Sequence, residues 1–138
     1  MSPGLRQFSP EYLAAAPAFM RHPNTIIAER WFAAFNAHDL EALLELYDDA
    51  AEHYSPKLRL HRPGTNGIVR GKSALRGWWR DAFERLPTLR YEVIALTADT
   101  DRVFMEYVRH VEGEEDLRVG EVLEVRRGRI VASRVYHG

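Results

Sequence analysis

The chain has 138 residues, of which 46% are hydrophobic and 28% charged, and its formal net charge is −1. A chain of this length is expected to form one domain around one hydrophobic core, and a balanced charge argues against nucleic acid as a partner. The absence of cysteine excludes disulfides and cysteine-based zinc sites, and it is what we expect of a cytoplasmic protein.

Residues 1–23 are predicted to be an appendage to the domain. Prolines interrupt any long helix there, although residues 11–20 could form a short helix behind Ser9 and Pro10. The segment lacks the basic start and continuous apolar stretch of a signal peptide, and no window approaches the ~18 apolar residues that cross a membrane. We therefore expect no contact with a membrane.

Three helices are predicted after residue 23. Asn24 or Thr25 can cap the first, Asp39 the second and Ser73 the third, which ends before Pro87. In each segment apolar residues recur at helical spacing. These stripes are Ile27, Trp31, Ala34 and Phe35 in the first helix, Leu40, Leu43, Leu44 and Tyr47 in the second, and Leu75, Trp78, Trp79, Ala82 and Phe83 in the third.

Strands are predicted on both sides of the third helix. Ala50 to Ser55 has the pattern of a short strand, and residues 56–71 that of an irregular segment. After Pro87 the hydrophobic period changes to two, and turn signals at 98–101, 112–116 and 127–128 divide the rest into four strands. Helices followed by consecutive hairpins predict an α+β fold.

Two charged residues stand on otherwise apolar strand faces. Glu121 shares its face with Leu117, Val119, Leu123 and Val125, and Arg109 shares its face with Val103, Met105, Tyr107 and Val111. A buried carboxylate costs several kcal/mol unless it is paired or protonated. One interpretation is a structural ion pair between Arg109 and Glu121. The other is an active site in which Glu121 moves a proton and Arg109 orients a substrate oxygen.

No metal site and no cofactor are predicted. The histidines are scattered, without the HxxxH or HxH spacing of metal ligands. Trp31, Trp78, Trp79 and Phe83 are more typical of a core than of a cofactor-binding box. The basic run from residue 57 to 62 is most often a solvated loop, although it could attract an anionic ligand.

Four segments resemble the nuclear-transport-factor-2-like superfamily, especially its SnoaL-like branch. They are Ile27–Tyr47, Asp48–Ala50 before a strand, Gly71–Leu75 at the start of the third helix, and Glu124–Val131 as the last hairpin. The resemblance covers residues 24–138. It implies three helices packed on a strongly curved, mixed, mostly antiparallel sheet that forms a cone-shaped pocket, often in a homodimer.

The resemblance does not select one reaction, because the superfamily contains isomerases, cyclases, hydrolases and binding modules. Trp31 and Tyr54 stand where steroid isomerases have a tyrosine and the aspartate base, which disfavours that chemistry. Tyr107, Arg109 and Val135 stand where limonene-type epoxide hydrolases have their catalytic triad, so that triad is absent as well.

The predicted function is binding of a small, largely apolar, oxygenated molecule, with cofactor-free isomerisation, cyclisation or hydration as its catalytic form. Glu121, Arg109 and Tyr54 are the candidate catalytic residues. The candidate ligand-binding residues are Trp31, Glu52, Trp79, Tyr107 and His137. The alternative is a non-catalytic binding or dimerisation module.

A homodimer is also predicted from the outer face of the sheet. The even positions of the last strands place apolar residues among charged ones, at Phe104, Val108, Val122, Ile130 and Tyr136. Such a face is too apolar to be fully solvated, so a second copy of the same sheet is expected to cover it.

Overall fold

The computed structural model describes residues 7–14 and 21–137 and shows helices packed on one face of a six-stranded sheet. The helices are α1 (Pro10–Leu13), α2 (Pro23–Asn36), α3 (Leu40–Glu45), α4 (Pro56–His61) and α5 (Lys72–Arg85), and a 3-10 turn lies at Pro63–Thr65. The strands are β1 (Tyr47–Tyr54), β2 (Ile68–Arg70), β3 (Arg90–Ala98), β4 (Arg102–His110), β5 (Leu117–Arg126) and β6 (Arg129–Tyr136).

The strand order is β2-β1-β6-β5-β4-β3. Neighbouring strands are antiparallel except β1 and β6, which pair in parallel. On the concave side, α2 contacts β3 and β4, and α5 contacts β1 and β2. The predicted α+β class with a mixed, mostly antiparallel sheet is confirmed.

Helix caps agree with the sequence pattern in one case and differ in two. Asp39 caps α3, and its side chain accepts a hydrogen bond from the Ala42 amide, as predicted. His22 caps α2, because Pro23 occupies the first helical position and needs no amide partner. Gly71 precedes α5 in a left-handed conformation with φ of 85°, which glycine adopts without strain. Ser73 is therefore already inside the helix.

The segment around β1 is more regular than predicted. Tyr47 was expected to end the second helix, but α3 ends at Glu45 and Tyr47 is the buried first residue of β1. The expected irregular segment contains α4 and β2. Ser55 begins α4 by accepting a hydrogen bond from the Lys57 amide, and the helix starts with Pro56. Proline is tolerated in the first turn of a helix because the amide it lacks has no intrahelical partner there.

A β-bulge in β6 reverses the alternation of its side chains. Glu124 pairs with Ala132 and Val125 with Ile130, which leaves Val131 as an extra residue. Ile130 is therefore fully buried on the concave side, like Val125. The prediction that Ile130 lies on the outer face is wrong for this reason.

The described part of the N-terminal segment packs on the edge of the sheet. Phe8 forms a parallel bridge with Val93, and the Ser9 amide donates to the Val93 carbonyl at 2.8 Å. Ser9 caps α1, and the Tyr12 hydroxyl donates to Glu29 of α2. The helix expected over 11–20 lies partly outside the described residues. Among those described, no helix is long and apolar enough to cross a membrane.

Candidate functional site

A cavity of about 210 Å³ lies between the helices and the concave face of the sheet. Its aromatic lining comes from α2, α5, β3 and β4, and its polar lining comes from the strands, from α4 and α5, and from the segments between these elements. The aromatic residues are Trp31, Phe35, Trp78, Trp79, Tyr91 and Tyr107, and the polar ones include His53, Ser55, Arg109, Glu121 and His137. An aromatic cavity with a few polar groups is typical of a small-molecule site.

Glu121 is the more deeply buried of the two carboxyl groups that line the cavity, with 1% of its surface exposed. Oε1 accepts a hydrogen bond of 2.8 Å from the Tyr107 hydroxyl. Oε2 is buried without a hydrogen-bond partner among the described residues. Burial raises the pKa of Glu121 to about 8, although the Tyr107 hydrogen bond opposes the shift. The carboxyl is therefore mainly protonated at neutral pH, and Oε2 can offer a proton.

Aromatic rings surround this carboxyl. The Tyr91 and Tyr107 rings lie 4.2 Å apart, and Trp31 stacks on Phe35 at 5.2 Å. Burial and the nearby Glu121 hold the pKa of the Tyr107 hydroxyl well above its usual range. Tyr107 therefore stays a neutral hydrogen-bond donor, and it can stabilise Glu121 when that carboxyl loses its proton.

A chain of buried hydrogen bonds leads from α2 to the first strand. The Trp31 indole donates to the Tyr47 hydroxyl at 3.0 Å, and Tyr47 donates to Ser133 Oγ at 2.9 Å. Ser133 Oγ lies 2.6 Å from His53 Nδ1. Every hydrogen bond of this network can form when Ser133 donates to Nδ1 of His53. The proton of the neutral histidine then lies on Nε2. Burial lowers the pKa of His53 to about 3, so the ring is neutral.

Arg109 lines the cavity but does not pair with Glu121. Its Nη1 donates to Glu114 at 2.8 Å. In the strand register Glu121 is opposite Met105, whereas Arg109 is opposite Leu117. Four residues along a strand separate the two positions by roughly 13 Å. The expected ion pair between Arg109 and Glu121 is wrong for this reason, although both residues are buried on the concave side as predicted.

Glu52 and Tyr54 lie on the outer side of β1, so their predicted places in the pocket are wrong. Arg70 Nε donates to Glu52 at 3.1 Å on the surface, and the Tyr54 ring lies 6.2 Å from that of Tyr136. His53, between them, faces the cavity. Sequence reasoning missed His53 because residues 50–55 show no apolar alternation that would tell the two faces apart.

The other predicted ligand-binding residues line the cavity, namely Trp31, Trp79, Tyr107 and His137. Trp31 is also part of the core, since only 1% of its surface is exposed. His137 directly follows Tyr136, the residue of β6 that pairs with Gly120, and its Nε2 is buried without a partner among the described residues. Their roles in binding a ligand stay predictions.

Charged residues missed by the sequence analysis surround the opening of the cavity. Lys57 of α4 is half-buried, whereas His61, Arg85 and Glu114 are exposed. The basic run at 57–62 indicated Lys57 and His61, whereas no sequence pattern indicated Arg85 or Glu114. Within residues 7–14 and 21–137, no three His, Asp or Glu side chains are arranged to hold a metal ion.

The fold and the cavity together define a nuclear-transport-factor-2-like α+β protein with an enclosed site. The model of the SnoaL-like domain family matches residues 28–133, and the chain belongs to this family. Among curated proteins, none matches the sequence significantly.

Solved structures agree with this assignment. A SnoaL-like protein of unknown function from Burkholderia thailandensis is 29% identical, with 90% of this chain and 99% of that chain covered and a TM-score of 0.75. A polyketide cyclase-like protein from Sinorhizobium meliloti is 17% identical, with coverages of 84% and 100% and a TM-score of 0.69. An NTF2-like protein from Cytophaga hutchinsonii is 13% identical, with coverages of 88% and 95% and a TM-score of 0.66.

Proposed function

We propose that the cavity binds a small, largely apolar, oxygenated molecule and that Glu121 transfers a proton to and from it without a cofactor. The observation that carries the proposal is Oε2 of Glu121, which is buried in the cavity wall without a partner among the described residues. A ligand oxygen would satisfy that atom. The aromatic lining would hold the apolar remainder of the molecule.

The proton balance suits an isomerisation. Neutral Glu121 gives its Oε2 proton to a ligand carbonyl oxygen, and the carboxylate so formed removes a proton from the neighbouring carbon. The ketone becomes an enol, and Glu121 regains its neutral form. The Tyr107 hydroxyl, 2.8 Å from Oε1, stabilises the transient carboxylate, and a pKa of about 8 suits both directions of transfer near neutral pH.

Two ligands that differ in one oxygen atom test the binding step. Acetophenone and ethylbenzene have the same ring and chain length, but only the ketone accepts a hydrogen bond from Glu121. We expect calorimetry at pH ~7 to show at least about tenfold tighter binding of acetophenone, because the ketone satisfies a buried donor. The preference should decline above pH ~8, where Glu121 ionises.

Variants of Glu121 separate binding from catalysis. Glu121→Met should abolish the preference for the ketone, whereas Glu121→Gln keeps an N–H donor and should retain it. Glu52→Met, which removes a carboxylate from the outer face, is the matched control and should behave as the wild type. Equal binding of the two ligands by the wild type, or a preference that survives in Glu121→Met, would contradict the proposed binding mode.

Proton transfer is measured by hydrogen exchange of the acetophenone methyl group in D₂O, followed by NMR. The wild type should accelerate the exchange, and Glu121→Gln should not, because an amide cannot take up the proton. If the wild type prefers acetophenone but leaves its exchange rate unchanged, the alternative of a non-catalytic binding module is supported, and the proposed catalysis is wrong.

A further inference from the structure

The opening of the cavity carries more positive than negative charge. Lys57 from the start of α4, Arg85 from the end of α5 and Arg109 from the end of β4 all line it, and the facing carboxylate is Glu114. Glu114 pairs with Arg109 at 2.8 Å. Among the described residues, Lys57 and Arg85 have no carboxylate within the 4.0 Å that defines an ion pair. An unneutralised pair of cations at the mouth of an enclosed site attracts anions.

The burial of these cations increases toward the interior. Arg85 is exposed, Lys57 is half-buried, and Arg109 has 7% of its surface exposed. Burial lowers the pKa of Lys57, the charges of Arg109 and Arg85 lower it further, and the carboxylate of Glu114 opposes the shift. One carboxylate, Glu114, offsets the charges of Lys57 and Arg109, and a further anion would relieve the remaining repulsion among the three cations.

The guanidinium of Arg109 can accept a further partner. Nη1 is bonded to Glu114, whereas Nε and Nη2 have no hydrogen bond to a described residue. An arginine presents its five donors in a planar fork that fits a carboxylate. The cavity therefore has an acidic proton donor at Glu121 in its interior and a cationic group at its mouth, at opposite ends of one aromatic enclosure.

We propose that the mouth of the cavity is a subsite for an anionic group, formed by Lys57, Arg85 and Arg109. The ligand is accordingly an apolar, oxygenated compound with a carboxylate at the end opposite the oxygen that reaches Glu121. This inference rests on the proposed function, because it names the class of molecule that the same site takes up.

A carboxylate and its neutral amide test the subsite. 4-Acetylbenzoate and 4-acetylbenzamide carry the ketone of acetophenone and differ mainly in charge at the far end. By calorimetry at pH ~7 and low salt, we expect the carboxylate to bind at least about tenfold more tightly. Added NaCl should weaken binding of the carboxylate and leave that of the amide unchanged.

Three variants assign the preference to the subsite. The double substitution Lys57→Met and Arg85→Met should reduce the carboxylate preference at least about fivefold without weakening amide binding. Glu114→Gln should increase it, because Arg109 loses its competing carboxylate. Arg59→Met removes an exposed cation from the same helix as Lys57 and should leave the preference unchanged.

The outcomes distinguish this inference from the proposed function. If the amide and the carboxylate bind equally while acetophenone is still preferred over ethylbenzene, the anionic subsite is wrong and the proposed function stands. A preference that is undiminished in the double variant would also overturn the subsite. If acetophenone, the carboxylate and the amide all fail to bind at millimolar concentration, both proposals are wrong.

Discussion

Glu121 links the stability of the fold to pH. Burial raises its pKa from the ordinary 4.5 to about 8, so between these values the folded chain holds a proton that the unfolded chain has lost. The stability associated with the neutral carboxyl is complete below pH ~4.5 and is lost as the pH rises through about 8. The fold is thus most stable when Glu121 is protonated, which is the state in which this carboxyl can donate a proton.

Glu121→Gln should remove this dependence. An amide stays neutral at all pH values, so the free energy of unfolding of the variant should decline less than that of the wild type between pH ~5 and ~9. The expected difference between the two curves is on the order of a few kcal/mol, measured by urea unfolding. The pH dependence of the unfolding free energy of Glu52→Gln, at an exposed position, should run parallel to that of the wild type. Parallel curves for Glu121→Gln would show that Glu121 is not buried as described.

At the scale of secondary structure, two helix starts offer a matched comparison. The Asp39 side chain accepts from the Ala42 amide at the start of α3, whereas Ser73 lies inside α5 behind Gly71. Asp39→Ala should cost about 1 kcal/mol of unfolding free energy, the usual contribution of a capping side chain. Ser73→Ala should change stability by less than about 0.5 kcal/mol. A larger loss for Ser73→Ala would contradict the cap assigned to α5.

The sequence predicted the elements with long, regular periodicity and failed where the pattern is short or broken. The stripe containing Trp78 and Trp79 specified α5, and the alternation in β4 and β5 placed Tyr107 and Glu121 on the inner face. The face of β1 was assigned wrongly because its side chains do not alternate in hydrophobicity. Periodicity also carries no information about register, so it could not show that Arg109 and Glu121 lie too far apart to pair.

At the scale of the whole molecule, the outer face of the sheet still presents apolar side chains. Phe104 is 42% exposed and Tyr136 is 50% exposed, and an ion pair of 2.7 Å between Arg134 and Glu124 lies on the same face. We propose that a second copy of the chain covers this surface, as the resemblance and the strand pattern led us to expect. Such an interface should bury at least ~1,000 Å² in total.

Sedimentation at micromolar concentration tests the dimer. The wild type should sediment with twice the chain mass of 15.9 kDa. Phe104→Glu, which places a charge in the apolar surface beside Gly120 and Val122, should shift the sedimenting mass toward that of a single chain. Phe83→Leu, at a partly buried position on the opposite, helical side, should leave the mass unchanged. A wild type that sediments as one chain at these concentrations would show that the face stays uncovered or that the N-terminal segment covers it.

The parallel pairing of β1 with β6 has a consequence for how the chain is made. β6 lies in the middle of the sheet, although the ribosome synthesises it after every other strand described. Until β6 emerges, the β1–β2 hairpin has no strand joining it to the β3–β4–β5 meander, and Ser133 is not there to accept a hydrogen bond from Tyr47 and donate one to His53. Pairing between strands that lie as far apart in the sequence as β1 and β6 forms slowly. Before β6 pairs, a gap separates β1 from β5, and the cavity is completed only when β6 joins them.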